Sequence, residues 1–280
     1  MIYGLGAALG WGLADLGAAV SGRRIGSVAA TVLAQVTSLL AVGILVVALR
    51  PEWTGDAGNV LVLGVNGAIV GLAYLAHYRA LELGPVAIVS PIVAAYAVPP
   101  VVLAVVLLDE TLAGWVLAGA IVTLLGVVVA SADLRAASGE RFSGPGIRVG
   151  IASMLLFGLA TFTLGRQAQE VGWLPAMALG RLFSVCTLLV VSVILRPRFR
   201  EAATAGLAVA AVAGLADILG VAMYSFGAEV GLISVVTAAS ATFVLFPIVG
   251  GVALFGERPG LTQYLGIAMV VGGLLLLGLG

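Results

Sequence analysis

Ten apolar stretches take up almost the whole chain, at residues 2–20, 28–49, 59–79, 85–107, 113–131, 147–165, 174–195, 206–227, 231–254 and 261–279. A helix rises about 1.5 Å per residue, so about 20 such residues cross the roughly 30 Å of a bilayer's hydrocarbon. This pattern predicts an all-α membrane protein with ten transmembrane helices. Composition closes off the soluble alternative: 62% of the 280 residues are hydrophobic and 9% are charged, whereas a soluble domain carries roughly a quarter charged residues. A transmembrane barrel is excluded as well, because barrel strands alternate polar and apolar residues over short segments. Here the runs are continuous and rich in Ala, Leu, Val and Gly.

The separators between runs are short and hold the Gly, Pro and charged residues, as in Gly22-Arg23-Arg24, Arg50-Pro51-Glu52 and Glu82-Leu83-Gly84-Pro85. The longest, Ala132 to Gly146, is polar and Ser/Gly-rich and divides the chain near its middle. The two sides of this divide repeat each other. Trp11-Gly12-Leu13-Ala14 returns 146 residues later as Phe157-Gly158-Leu159-Ala160, and Leu49-Arg50-Pro51 returns at the same spacing as Leu195-Arg196-Pro197. Glu82, Pro100, Glu110, Gly119 and Gly126 return 147 residues later as Glu229, Pro247, Glu257, Gly266 and Gly273. A one-residue shift reconciles the whole series. The domains expected are a first five-helix repeat over 1–131, a connecting loop over 132–146 and a second five-helix repeat over 147–280. Five crossings is an odd number, so the second copy enters the membrane from the opposite side. The repeats are expected to be inverted about a pseudo-two-fold axis in the membrane plane, around a central cavity.

Orientation follows from loop arginines. Arg23, Arg24, Arg79, Arg135, Arg141, Arg148, Arg196, Arg198, Arg200 and Arg258 fall on one side, and Arg50 and Arg166 on the other. The ten are expected inside, which puts both termini outside. The first run has no basic leader and no small-residue cleavage site, and is expected as a retained span. The net charge is zero, and no basic run is long enough to bind nucleic acid. Cys186 is the single cysteine; it excludes an internal disulfide and a cysteine metal cluster, and is expected as a buried small hydrophobe.

Ionisable residues inside a span cost about 2.5–3.5 kcal/mol each on insertion scales, which makes them functional candidates. Asp15, Arg181 and Asp217 are such residues. By depth, Arg181 and Asp217 are expected in contact, directly or through water. That contact serves either to neutralise two charges that hold the seventh and eighth spans together, or to offer Arg181 to a substrate carboxylate. Asp15 lies toward the arginine-rich end of the first span, one turn after Trp11. Gln35 is expected at similar depth on the second span and is the repeat partner of Arg181. An aromatic ring beside a carboxylate suits an amine or a ring, and a carboxylate in lipid is also a candidate for proton coupling. The alternative is a helix-end aspartate beside Arg23 and Arg24.

On the third span Asn66, Ala73 and His77 share one face, and Gly67, Gly71, Tyr74 and Tyr78 share the next. His77 falls near the membrane end and is expected as an interfacial histidine. Tyr96, Tyr224 and Phe243 are candidates for an aromatic cavity lining, with packing or interface anchoring as the ordinary alternative. Pro91, Pro99, Pro100 and Pro247 lie inside spans and are expected to kink or loosen them, as hinges for gating. Glu110 and Glu257 are expected as cap or loop structure. With one His and no phosphate loop, metal-ligand spacing or nucleophile–His–acid set, the sequence predicts no enzyme, no cofactor and no metal.

Tyr78-Arg79-Ala80-Leu81-Glu82-Leu83-Gly84-Pro85-Val86-Ala87, Ser90-Pro91-Ile92, Pro100, Leu108-Asp109-Glu110-Thr111-Leu112 and the Gly119–Gly126 spacing together resemble the EamA-type domain of the drug/metabolite transporter superfamily. A second copy runs through Gly227-Ala228-Glu229-Val230-Gly231, Pro247, Phe255-Gly256-Glu257-Arg258 and Gly266 to Gly273. The resemblance implies a ten-helix carrier in a bacterial inner or plasma membrane. The first, third, fourth, sixth, eighth and ninth spans would line its cavity, and the fifth and tenth would lie peripherally. It also implies a secondary transporter, an exporter of small metabolites such as aromatic amino acids, working by alternating access. Its partners would be a small-molecule substrate and membrane lipids, in a monomer or weak homo-oligomer. A flippase or carrier for a lipid-linked or drug-like amphiphile is the alternative. Family members are expected to hold their termini in the cytoplasm, whereas the arginine distribution here places them outside.

Overall fold

The computed structural model describes residues 2–108, 114–131, 144–195 and 204–277. The described residues form helices α1 (Ile2–Ile25), α2 (Ser27–Leu49), α3 (Ala57–Leu83), α4 (Val86–Ala94), α5 (Val98–Leu108), α6 (Gly114–Ser131), α7 (Pro145–Val171), α8 (Trp173–Leu195), α9 (Thr204–Val230), α10 (Ile233–Ser240), α11 (Leu245–Phe255) and α12 (Leu261–Leu277). In lipid every backbone N–H and C=O must be satisfied within the chain, and a helix does this segment by segment. Hydroxyls inside the spans follow the same logic: Thr31, Thr123 and Ser192 each donate to the carbonyl four residues earlier.

Ten spans result, because two of them are broken. The 3₁₀ turn Ala95–Ala97 joins α4 to α5, and the 3₁₀ turn Ala241–Val244 joins α10 to α11. Pro99, Pro100 and Pro247 lie just beyond these turns. Lacking N–H groups, they cannot close the helical bonds that would run back into them. Six of the described helical stretches meet the length and hydropathy for crossing a membrane by themselves, the α10–α11 stretch among them. Their outer faces carry exposed apolar residues such as Ile44, Val47, Val193 and Ile194, which is the arrangement of a bundle whose solvent is lipid.

Helix pairings are duplicated between the halves. α1 packs against α9 and its repeat equivalent α7 against α3; α2 packs against α9 as α8 does against α3. The broken span α10–α11 lies along α1 as α4–α5 lies along α7, while α6 pairs with its own equivalent α12. The α6–α12 crossing reads the same from either side: a Cβ at Gly126 would meet the Gly266 carbonyl at 2.9 Å, and one at Gly273 would meet the Gly119 carbonyl at 2.6 Å. These paired contacts fit two inverted five-helix repeats, and such glycines let backbones approach in lipid.

The turns between spans repeat too. Gly26 and Gly172, at equivalent positions before α2 and α8, both have φ +87°, a conformation strained for any side chain. A carboxylate from the neighbouring helix end then caps the helix that follows. Glu82 accepts from the Ser27 N–H at 3.3 Å, and Glu229 from the Trp173 N–H at 2.5 Å. Glu257 accepts from the Val86 N–H at 2.8 Å and pairs with Arg23 at 3.1 Å. It is thus cap structure, as expected from its place at a helix end.

The connecting loop expected over 132–146 lies outside the described residues as far as 143. Glu110, Arg135, Arg141, Arg196, Arg198 and Arg200 also lie outside them. Helices α3, α7 and α9 are each 27 residues long and overrun the apolar windows at their ends. Cys186 corrects the sequence reading: it is exposed on the outside of α8, because a helix apolar on every side does not announce which face turns outward.

Candidate functional site

The broken spans and the long helices enclose a cavity between the two halves, of about 930 Å³ with its open side included. α1 contributes Trp11 and Asp15; α3 contributes Asn66, Tyr74, His77 and Tyr78; the first 3₁₀ turn contributes Tyr96. From the second half come Phe157 on α7, Arg181 on α8, Asp217 and Tyr224 on α9, and Phe243 in the second 3₁₀ turn. Ten of the eleven residues singled out from sequence therefore face one space. The eleventh, Gln35, is fully buried behind it. Arg181 places α8 on the wall, so the seventh span joins the six expected there.

Two buried pairs occupy the walls, one ionic and one between an imidazole and a carboxylate. Arg181 Nη2 lies 2.9 Å from Asp217 Oδ2, a direct contact, and both side chains are within 4% of full burial. Arg181 Nη1 donates to Gln35 Oε1, and the guanidinium lies 5.3 Å from the centre of the Tyr74 ring. Tyr74 donates its hydroxyl to Asp217 Oδ1 at 2.5 Å. An arginine is charged at any accessible pH, so burying it requires this surround of acceptors. Gln35, expected only at a depth similar to that of Asp15, lies against Arg181. Its carbonyl takes up an Arg181 donor that the carboxylate leaves over.

The second pair is His77 Nε2 with Asp15 Oδ1, at 2.8 Å. His77 is 4% exposed and Asp15 7%, which overturns the interfacial reading of His77 and the helix-end reading of Asp15 beside Arg23 and Arg24. α3 continues to Leu83, so His77 lies well within the helix rather than at its end. Asp15 Oδ2, His77 Nδ1, Asn66 Oδ1 and Trp11 Nε1 are buried polar atoms with no protein partner.

Aromatic rings form the rest of the lining. Trp11 stands 6.1 Å from Tyr96, 5.7 Å from Tyr224 and 6.4 Å from Phe243, centre to centre. Phe157 stands 4.9 Å from Tyr74 and 5.8 Å from His77. The frame is pseudo-symmetric: Trp11 and Phe157 are repeat partners, as are Tyr96 and Phe243. The hydrogen bonds are equivalent as well. His77 on Asp15 corresponds to Tyr224, whose hydroxyl donates to the carbonyl of Thr161 at 3.1 Å. Phe157 and His77 are ring-bearing lining residues that sequence reasoning left out of the site. The repeat offset carried the signal for both, since each is the partner of a residue already chosen. Among the described residues no group of His, Cys, Asp or Glu is placed to hold a metal ion.

Comparison with known proteins now has a structure to stand on. Residues 1–132 match the EamA-like transporter family. The match spans just under half of the chain, so its first half is similar to an EamA-like domain, within a chain whose fold is that of an integral membrane protein. That family is one of transporters, not enzymes. A solved crystal structure superposes on 99% of this chain and 96% of its own, with a TM-score of 0.72 at 21% identity, which establishes a shared fold. No curated protein matches the chain.

Proposed function

We propose that the protein is a secondary transporter that exports small organic metabolites, amino acids and their relatives among them, by alternating access. One observation carries this reading. A buried cavity with polar and aromatic walls lies between two inverted halves, and each half supplies an equivalent broken span to it. Inverted halves build both gates from the same parts, so the site can open to either side in turn. The turns Ala95–Ala97 and Ala241–Val244 are the hinges of this reading, and the substrate touches Trp11, Tyr96, Phe243 and the two buried pairs.

The walls hold buried charges rather than a lipid-facing apolar slot, which supports a metabolite over a lipid-linked amphiphile. The repeats divide at residues 132–146, one chain completes the cavity, and the arginine-rich face is cytoplasmic. The test is flux: protein purified into liposomes moves labelled tryptophan, tyramine or related small solutes without ATP, and leaves a fluorescent phospholipid in its leaflet. Transport that requires ATP or an added ATPase subunit removes the carrier reading, and lipid movement transfers it to the flippase alternative.

A further inference from the structure

The two buried pairs in the cavity are not equivalent as ligand anchors. Arg181 is spent: its charge is matched by Asp217 at 2.9 Å, a further donor is held by Gln35, and the other Asp217 oxygen is held by Tyr74. A substrate carboxylate could reach this guanidinium only by displacing a buried counter-ion that has no second partner for its charge. Asp15 differs. One of its oxygens accepts from His77, and the other is buried with no partner. Its neighbour is an imidazole, which donates through Nε2 in its neutral form as well, so no obligate cation balances the carboxylate.

The open atoms next to the carboxylate itself are acceptors, with the Trp11 indole N–H one turn away the open donor. Asp15 Oδ2 and, with Nε2 donating, His77 Nδ1 are acceptors without a protein donor. An ammonium group supplies three donors and one positive charge. Trp11 one turn along α1 and Phe157, 5.8 Å from His77, provide the ring faces that such a cation prefers. The acid is not needed to join α1 to α3. The equivalent crossing of α7 and α9 is made by Tyr224 and a Thr161 backbone carbonyl, with no carboxylate at Thr161.

We propose that the ligand is anchored as an ammonium on Asp15, so that the cavity selects aromatic primary amines over the corresponding amino acids and acids. The inference rests on the carrier reading and narrows it to a substrate class. Isothermal titration of the purified full chain in detergent with tryptamine, tryptophol, tryptophan and indole-3-acetate tests it, since the four share a ring and differ in charge. Tryptamine is expected to bind about tenfold or more tighter than neutral tryptophol, the weight of a charge-assisted contact, and indole-3-acetate weakest. Asp15→Asn is expected to lower tryptamine affinity by about tenfold or more and to leave tryptophol within about twofold.

Tryptophan or indole-3-acetate binding as tightly as tryptamine overturns the inference, as does absence of tryptamine binding or its persistence in Asp15→Asn. If Asp15→Asn does not fold, the wild-type series decides alone. Tryptamine that binds but is not carried in liposomes defeats the carrier reading and leaves the anchor standing. Tryptophan bound and carried in its place does the reverse.

Discussion

Replacing Asp217 by Ala strands a guanidinium inside the bundle. At 2.9 Å and an effective dielectric of about 20, the gross attraction of the pair is about 6 kcal/mol. Most of that offsets the desolvation of two ions whose side chains are 3% and 4% exposed. The net worth of the intact pair is therefore small, but the cost of halving it is not. Asp217→Ala is expected to destabilise by about 3–5 kcal/mol, with about 1 kcal/mol more from the Tyr74 hydroxyl that loses its acceptor. Removing both charges with Arg181→Met and Asp217→Ala is expected to bring stability back to within about 2 kcal/mol of the parent, the remainder being the partners lost by Gln35 and Tyr74. The double-mutant coupling is then at least about 2 kcal/mol. Reversible denaturation in mixed detergent, followed by tryptophan fluorescence, measures all four proteins. A double variant as unstable as the sum of its singles, or an Asp217→Ala loss under about 1 kcal/mol, would refute the claim that the two charges exist for each other.

Glu82→Gln and Glu229→Gln are each expected to cost about 1 kcal/mol through a weakened cap; because the caps lie at opposite ends of the bundle, their effects are expected to add within about 0.5 kcal/mol in the same denaturation assay. Gly10→Val is expected to destabilise by about 1–3 kcal/mol, since a Cβ there would meet the Gly220 nitrogen at 2.6 Å and the Ala216 carbonyl at 2.7 Å; an unchanged melting temperature would mean that α1 and α9 are not in close contact. Arg24→Cys in a Cys186→Ala background is expected to react with an impermeant maleimide only after right-side-out membranes are opened, and labelling of sealed membranes would reverse the assigned orientation.

Sequence carried the spans, the duplication and the Arg181–Asp217 contact because each rests on spacing along one chain. A hydrophobic run, a fixed offset and a depth counted in residues survive folding unchanged. The partners of Asp15 and Gln35 rest on something else, the lateral order and tilt of helices. Depth placed Gln35 level with Asp15 but did not say which neighbour it faces, and α2 turns it toward α8. His77 was read as interfacial because the apolar window ended near Arg79. The helix continues four residues further, to Leu83, with Glu82 capping α2 and Arg79 pairing with Glu82 at 2.7 Å, so polar residues there extend the span instead of ending it. Cys186 shows the same limit on a helix apolar all round, where no polar stripe marks the inner face.

The hydrogen bond between His77 and Asp15 and its counterpart between Tyr224 and Thr161 occupy matching places in the two halves, yet only the first contains an acid. If the protein works as the proposed carrier, a scaffold that looks the same upside down but sets Asp15 with His77 on one side of its axis and Arg181 with Asp217 on the other has no reason to rest equally in its two facings.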